Sequence, residues 1–177
     1  LNDVTEINPE SKTARVQPGI YIEQLNRRLK PSGLMFGPDP STVRIATAGG
    51  VVGNNATGAH SILYGMAGDN VETAKILLGG DPIELGALGE DALLARAKEG
   101  GPAGRLFNKL AALRKKYSEA IKRDFPKHWR RASGYSLNYF LESPFNPAKL
   151  LAGSEGTLGI VTEFTLTLVT RPAYTGL

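Results

Sequence analysis

The stretch Leu158-Gly159-Ile160-Val161-Thr162-Glu163-Phe164-Thr165-Leu166-Thr167-Leu168-Val169 carries the clearest structural pattern in the chain. Every second residue from Phe164 to Leu168 is apolar, and threonines stand between them. A period of two is typical of a strand that buries one face and leaves the other polar. The stretch therefore predicts a strand at 158–169 around which a sheet is built.

Three further strands are predicted toward the N-terminus. Residues 70–79 and 82–85 are rich in apolar side chains, and Gly79-Gly80-Asp81 between them is typical of a hairpin turn. A short strand is predicted at 12–17. Strands and helices do not alternate strictly along the chain, so we expect an α+β fold with a mostly antiparallel sheet and helices to one side.

Three helices are predicted as well, at 20–30, at 90–98 and in a longer segment that Pro126 ends. Gly100-Gly101-Pro102 separates the second helix from the third. The third shows apolar residues at spacings of three and four, which predicts an amphipathic helix. These residues are Leu106, Leu110, Leu113, Tyr117 and Ile121.

Composition excludes several classes of protein. The 177 residues are 41% hydrophobic and 21% charged, values that are typical of a globular domain and not of a disordered chain. The absence of cysteine excludes disulfides, iron–sulfur ligation and thiolate zinc sites within this chain, and only two histidines are present. No metal site and no membrane span are expected. The chain begins at Leu1 without a signal segment, and we expect it to be part of a longer protein.

Positive charge is concentrated in one segment. Residues 105–131 contain ten Lys and Arg and two acidic residues, a net charge of +8, whereas the eleven basic and fifteen acidic residues elsewhere give −4. The sequence pI of about 9.4 therefore describes this segment and not the whole surface.

Two clusters of glycine are the candidate ligand-binding segments. The first contains Gly49, Gly50, Gly53 and Gly58 within a segment almost free of charge, and the second is Gly153-Ser154-Glu155-Gly156-Thr157-Leu158-Gly159. Without side chains, backbone N–H groups can approach a ligand closely, which suits an anionic or heteroaromatic cofactor. Tight turns that need positive φ are the alternative explanation for either cluster.

Common nucleotide and nucleophile motifs are missing from the sequence. It contains no Gly-x-x-x-x-Gly-Lys-Ser/Thr loop, no Gly-x-Gly-x-x-Gly after a strand and no Gly-x-Ser-x-Gly elbow. These absences argue against a P-loop nucleotidase, a Rossmann dehydrogenase and an α/β-hydrolase.

Four segments occur in the order that a known flavoprotein family shows. They are the segments 37–42 (Gly-Pro-Asp-Pro-Ser-Thr), 47–61 (Thr-Ala-Gly-Gly-Val-Val-Gly-Asn-Asn-Ala-Thr-Gly-Ala-His-Ser), 64–71 (with Tyr-Gly and Asp-Asn-Val) and 153–163 (Gly-Ser-Glu-Gly-Thr-Leu-Gly-Ile-Val-Thr-Glu). The chain resembles the FAD-linked oxidases of the vanillyl-alcohol-oxidase (PCMH) type, in the branch of glycolate oxidase and the D-lactate and D-2-hydroxyglutarate dehydrogenases. Arg131-Ala132-Ser133-Gly134-Tyr135-Ser136-Leu137 is similar to a segment of the same branch.

The resemblance implies a set of FAD-binding residues, while the catalytic residues stay unknown. The cofactor-binding residues so implied are Pro38, Asp39, Ser41, Thr42, Thr47, Gly49, Gly50, Gly53, Asn54, Asn55, Gly58, Asp69, Glu155, Gly156, Gly159, Ile160 and Val161. Tyr135 with Arg130 or Arg131 is the candidate for binding a substrate carboxylate, because arginine binds carboxylates in a bidentate fork. A solvated basic helix end and a core tyrosine are the alternative explanation for these residues.

The resemblance also implies what the whole protein does. Residues 1–177 would be the second subdomain of a PCMH-type FAD-binding domain, with a helical insert at about 90–131. An upstream FAD subdomain, a downstream substrate domain and an iron–sulfur domain would belong to the same protein. It would oxidise a D-2-hydroxy acid such as lactate, glycolate or 2-hydroxyglutarate and pass electrons to a separate acceptor.

A different class of function is the alternative: a non-catalytic module that uses the basic helix 105–131 to dock an acidic partner or nucleic acid. The helix lacks the interleaved aromatic residues that nucleic-acid binding favours, and we expect no nucleic-acid partner. We expect a cytoplasmic location, with peripheral membrane attachment through a partner as the alternative.

Overall fold

A computed structural model describes residues 1–174. Within this range the strands are β1 (Val4–Asn8), β2 (Thr13–Val16), β3 (Leu34–Met35), β4 (Val71–Leu78), β5 (Asp81–Leu85), β6 (Ile160–Thr167) and β7 (Val169–Thr170). The helices are α1 (Ile22–Leu29), α2 (Ala48–Gly53), α3 (Ser61–Tyr64), α4 (Glu90–Ala97) and α5 (Gly101–Asp124). The predicted α+β class is confirmed.

The main sheet of the described chain has five strands in the order β1-β2-β6-β4-β5, and every neighbouring pair is antiparallel. Strand β6 lies in the middle, where Phe164 stands opposite Val16 on one side and Ala74 on the other. Phe164 and Leu166 are buried, as the alternating pattern predicts. Burial of each such side chain contributes about 1.5–3 kcal/mol to folding.

The stretch 158–169 forms two strands rather than the one that the sequence predicts. Strand β6 ends at Thr167, and β7 pairs with β3 in a separate two-stranded sheet. At the break, the N–H of Leu168 donates to the carbonyl of Lys12 at 2.7 Å. This non-local bond redirects the chain, and a local pattern cannot show it.

Other boundaries also differ from the predictions. Strand β1 was not predicted, because its residues at the edge of the sheet are partly exposed and carry little apolar periodicity. Helix α5 begins at Gly101, so that Pro102 lies in its first turn, where proline removes no intrahelical hydrogen bond. The glycine-rich segment contains the two short helices α2 and α3, which its composition does not favour.

Helix α5 buries only part of its apolar stripe. Ile121 is buried and Leu106 and Leu110 are partly buried, whereas Leu113 and Tyr117 are exposed. Within residues 1–174, no helix is both long and apolar enough to cross a membrane.

Candidate cofactor site

The two glycine-rich segments lie against each other. The N–H of Glu155 donates to the carbonyl of Gly53 at 3.0 Å, and the N–H of Gly153 donates to the carbonyl of Val52 at 3.2 Å. A Cβ atom on Gly53 would lie 3.8 Å from the Cα atom of Glu155. Segments that are distant in sequence therefore form one continuous backbone surface.

Helix α2 supplies the first part of this surface. Thr47 caps the helix, since its Oγ1 accepts a hydrogen bond from the N–H of Gly50 at 3.2 Å. Gly49 packs against Pro18, where a Cβ atom would come within 3.1 Å of the proline carbonyl oxygen. Close approach of two backbones thus requires a small residue at position 49.

The turn before β6 supplies the second part. Glu155 and Gly156 both have positive φ, of 49° and 78°. A Cβ atom on Gly156 would meet no protein atom within 4 Å, so its surroundings are open. The turn therefore presents bare backbone to the outside of the protein.

Together the two segments form a cleft of about 190 Å³. Its wall consists of glycine, apolar residues and one serine, and it contains no charged side chain. The lining residues are Pro18, Gly49, Val52, Gly53, Leu151, Ser154, Gly156, Gly159, Val161 and Phe164.

Backbone donors on these segments are free to bind a ligand. In the part of the chain that the structure describes, the amides of Thr57, Gly156 and Leu158 have no protein acceptor. An uncharged wall with free N–H groups fits the phosphate linker of a dinucleotide cofactor. Sites for ligands of that size are usually larger, about 300–1,000 Å³, so this cleft has the volume of one wall and not of a whole site.

The segment 38–42 lies beside the start of α3. Asp39 Oδ1 accepts from the N–H of His60 at 3.1 Å, and Asp39 Oδ2 lies 2.5 Å from His60 Nδ1. A Cβ atom on Gly58 would lie 2.1 Å from the carbonyl oxygen of Asp39, so close packing requires glycine there. Of the other residues predicted in this segment, Pro38 is buried, and Ser41 and Thr42 are exposed.

Asn54 and Asn55 are adjacent in sequence but differ in environment. Asn54 is exposed at the end of α2, whereas Asn55 is fully buried with φ of 46°. Asn55 Oδ1 accepts from the N–H of Gly68 at 2.9 Å. Its Nδ2 donates to the carbonyl of Arg131 and to Ser136 Oγ at 3.3 and 3.2 Å. The Asn55 side chain thus binds the segment 131–136 to the glycine site.

Asp69 also makes its contacts within the protein. Its Oδ1 accepts from the hydroxyl of Tyr139 at 2.9 Å, and its Oδ2 accepts from the N–H of Met66 at 2.9 Å. Burial, together with the nearby charge of Asp69, raises the pKa of the Tyr139 phenol above its ordinary value. Tyr139 therefore stays protonated and donates this hydrogen bond.

Of the three predicted substrate residues, Tyr135 is closest to the glycine turn. Its hydroxyl lies 2.9 Å from Thr157 Oγ1. Arg131 Nη1 donates to the carbonyl of His128 at 2.7 Å, while its Nε is buried without a partner among the described residues. Arg130 is exposed.

The C-terminal end of the site is open. Val161 lines the cleft, while Ile160 is 68% exposed beside it. Three other large apolar residues of the first glycine-rich region, Ile45, Ile62 and Leu63, are even more exposed. Large apolar side chains that are exposed in this way are typical of a surface that another body covers.

Sequence reasoning did not identify two residues that hold the site together, Ser136 and Tyr139. Ser136 accepts from Asn55 and Tyr139 donates to Asp69, so both bridge the site to the chain after α5. Neither residue stands in a pattern that could have shown this, because each contact is made across a long stretch of sequence. Within residues 1–174 no cluster of potential metal ligands occurs.

Comparison with known proteins agrees with this geometry. Residues 1–83 match the model of the FAD binding domain family. The chain is 36% identical over 177 residues to D-2-hydroxyglutarate dehydrogenase of Pseudomonas putida, and the match covers 98% of this chain and 18% of the relative. It is 31% identical to the glycolate oxidase subunit GlcD of Bacillus subtilis, over 97% of this chain and 26% of the relative.

A solved structure shows a similar fold. The match to an alkyldihydroxyacetonephosphate synthase has a TM-score of 0.58 at 21% identity, and it covers 98% of this chain and 22% of the other. The chain thus spans about a fifth to a quarter of the length of these proteins. The resemblance drawn from the sequence motifs is confirmed: residues 1–83 match an FAD binding domain, and nearly the whole chain is similar to part of the D-2-hydroxyglutarate dehydrogenases and glycolate oxidase subunits.

Proposed function

We propose that the chain forms one wall of the FAD site in a flavin-dependent oxidoreductase that oxidises a D-2-hydroxy acid. The observation that carries this proposal is the convergence of the two glycine-rich segments in one uncharged cleft, together with the free backbone donors on both segments. The substrate class is supported by relatives named D-2-hydroxyglutarate dehydrogenase, glycolate oxidase subunit GlcD and D-lactate dehydrogenase.

In this proposal the backbone of the chain binds the cofactor. Gly49, Gly53 and Gly156 keep the wall free of side chains, and the free amides donate to phosphate and ring-edge oxygens. When bound, FAD supplies the two-electron acceptor for oxidation of the alcohol. The chain itself holds the cofactor in position.

We further propose that Arg131, with Arg130 and Tyr135, binds the substrate carboxylate. The segment that contains them is fastened to the glycine site through Asn55 and Thr157, and the Arg131 guanidinium has an unused buried N–H. Arginine binds carboxylates through two parallel hydrogen bonds. Arg131→Lys is expected to raise the KM for the hydroxy acid without loss of flavin. Arg123→Lys, on the exposed end of α5, is the control and is expected to change neither the KM nor the flavin content.

The rest of the site is proposed to come from a longer protein. The small volume of the cleft and the uncovered apolar residues Ile45, Ile62 and Leu63 support this proposal, as does the short span of the relatives that the chain covers. An upstream FAD subdomain, a downstream substrate domain with the catalytic groups and an iron–sulfur domain would complete it. We also propose that residues 90–131 are a helical insert in the FAD-binding domain. The cytoplasmic location stays a prediction.

Purification of the longer protein tests the function directly. We expect it to carry flavin absorbance, to release FAD on denaturation, and to lose the absorbance anaerobically on addition of D-2-hydroxyglutarate, D-lactate or glycolate. The L-enantiomers of the first two acids serve as controls. A protein that contains no flavin and takes up no added FAD would overturn the assignment, and a flavoprotein that no hydroxy acid reduces would overturn the substrate class alone.

A further inference from the structure

An apolar groove runs along helix α5 on the side that faces the 3-10 turn Leu137–Leu141. It consists of two adjacent cavities of about 260 and 290 Å³ that share Tyr117, Ile121 and Leu137. Leu113 lies at one end and Phe125 at the other. We call this surface, from Leu113 to Phe125 with Leu137, the α5 groove.

The groove leaves three large apolar side chains exposed. The exposed fractions are 44% for Leu113, 43% for Tyr117 and 38% for Leu137. These residues belong to two different elements and line one continuous depression. Contiguous exposed apolar surface with a charged rim marks a protein interaction site. Leu113 to Phe125 spans about 18 Å along the helix, the length of about three helical turns.

The rim of the groove beside Leu113 is basic, while Asp124 lines the other end. Lys109 and Lys116 lie four residues before and three residues after Leu113, so both are its neighbours on the helix surface. Arg105 and Arg123 extend the same stripe in both directions at helical spacing. All four side chains are exposed.

These cations have few acidic neighbours. Within residues 1–174, Arg105, Lys109 and Lys116 form no salt bridge, whereas Arg123 pairs with Asp124. Lys116 Nζ lies 4.9 Å from the centre of the Tyr117 ring, at the edge of the groove. Unpaired charge on one rim of an apolar groove favours a partner with apolar and acidic residues side by side.

We propose that the α5 groove docks an acidic amphipathic helix of a partner protein, with apolar anchors over Leu113, Tyr117 and Leu137 and carboxylates against Lys109 and Lys116. A helix in a groove binds in this way through anchors at spacings of three and four residues. A nucleic acid is the poorer fit, because its phosphates could pair with the lysines but would leave the apolar residues uncovered. The proposal does not depend on the flavin function.

The test uses a labelled, cross-linked helical peptide of about 18 residues, with leucines on one stripe and glutamates beside it, since short free helices are marginal in water. Binding to the 177-residue chain is followed by fluorescence anisotropy at low and high salt. We expect saturable binding that weakens with salt. The double variant Lys109→Glu/Lys116→Glu is expected to weaken it about tenfold, and Leu113→Ser by a similar factor.

Matched controls lie on the opposite face of the helical pair. Lys115→Glu reverses one charge on α5, and Leu94→Ser removes a leucine that is 47% exposed on α4. Both residues line a different cavity, and neither change is expected to alter peptide binding. Circular dichroism of every variant checks that the fold is retained.

Several results would overturn the proposal. The proposal fails if the peptide does not bind, or if the control variants lose as much peptide affinity as the groove variants. It also fails if a peptide with glutamine in place of glutamate binds with equal affinity. A further contrary result is that single-stranded DNA binds more tightly than the peptide and that Leu113→Ser does not change its affinity. Acetylation footprinting of the longer protein without partner gives an independent check. Protection of Lys109 and Lys116 there would mean that the protein covers its own groove, and the proposal would fail.

Discussion

The N–H of Glu155 donates a hydrogen bond of 3.0 Å to the carbonyl of Gly53, and this bond joins the two glycine-rich segments into one wall. Each segment alone is a turn with small residues. Only their contact produces a surface that is long enough, and free enough of side chains, for an extended dinucleotide to lie on.

Gly50→Val is expected to abolish flavin retention in the longer protein and to leave the fold intact. A Cβ atom at position 50 would meet only Thr47 Oγ1, at 3.3 Å, so little within the chain opposes a side chain there. The branched side chain would instead occupy space at the exposed surface of α2. Gly89→Val is the control, because no protein atom lies within 4 Å of its Cβ position. The measurement is the flavin-to-protein absorbance ratio. Equal flavin content in both variants would contradict the assignment of Gly50 to the FAD site.

Gly156→Ala tests the second segment. Its φ of 78° makes any side chain strained by about 1 kcal/mol, but the surrounding space is open. Gly33→Ala carries the same strain, with φ of 69° and open space, and Gly33 does not line the cleft. We expect the two variants to lose similar stability in urea denaturation and only Gly156→Ala to lose FAD affinity. Parallel effects on FAD would show that strain alone explains the result.

Asn55→Ala is expected to lower the free energy of unfolding by about 2–4 kcal/mol. The change removes three hydrogen bonds, two of them buried and one partly buried, and alanine tolerates the positive φ less well than asparagine. The segment 129–136 should then be cleaved sooner in limited proteolysis. Asn108→Ala, at an exposed position of α5, should leave both stability and cleavage unchanged.

Tyr139→Phe gives a prediction about pH. The folded pKa of Tyr139 is raised, so the protonated phenol stabilises the fold fully below the unfolded pKa of about 10, and this stability is lost as the pH rises above it. Urea denaturation should therefore show the variant less stable by about 1–2 kcal/mol near pH 8, with a smaller difference near pH 11. Tyr174→Phe, at an exposed position, should show no difference at either pH. A constant gap for Tyr139→Phe would contradict the raised pKa.

The 177-residue chain alone should bind FAD weakly, with a Kd above about 1 μM. One wall supplies roughly half of the contacts, and loss of about 5 kcal/mol moves a nanomolar site into the micromolar range. Calorimetric titration of the chain and of the longer protein under the same conditions compares the two. A Kd for the chain well below ~1 μM would show that its cleft is a complete site.

Much of the secondary structure follows from the sequence alone. The alternation from Phe164 to Leu168 and the hairpin around Gly79-Gly80 predict strands that the structure contains. A strand that buries one face has an apolar residue at every second position, so the sequence shows a period of two. The two glycine clusters are equally visible, and their order with the other motifs indicates the family that the comparisons confirm. These features depend on residues that are close together in the chain.

Tertiary contacts determined the rest. The break after Thr167 depends on Lys12, and the different roles of Asn54 and Asn55 depend on which of them meets Gly68, Arg131 and Ser136. The exposure of Leu113 and Tyr117 depends on how much of α5 its neighbours cover. A local pattern records how strongly a residue prefers burial or hydrogen bonding, but the partner that satisfies this preference lies elsewhere in the chain, and only the folded structure brings the two together.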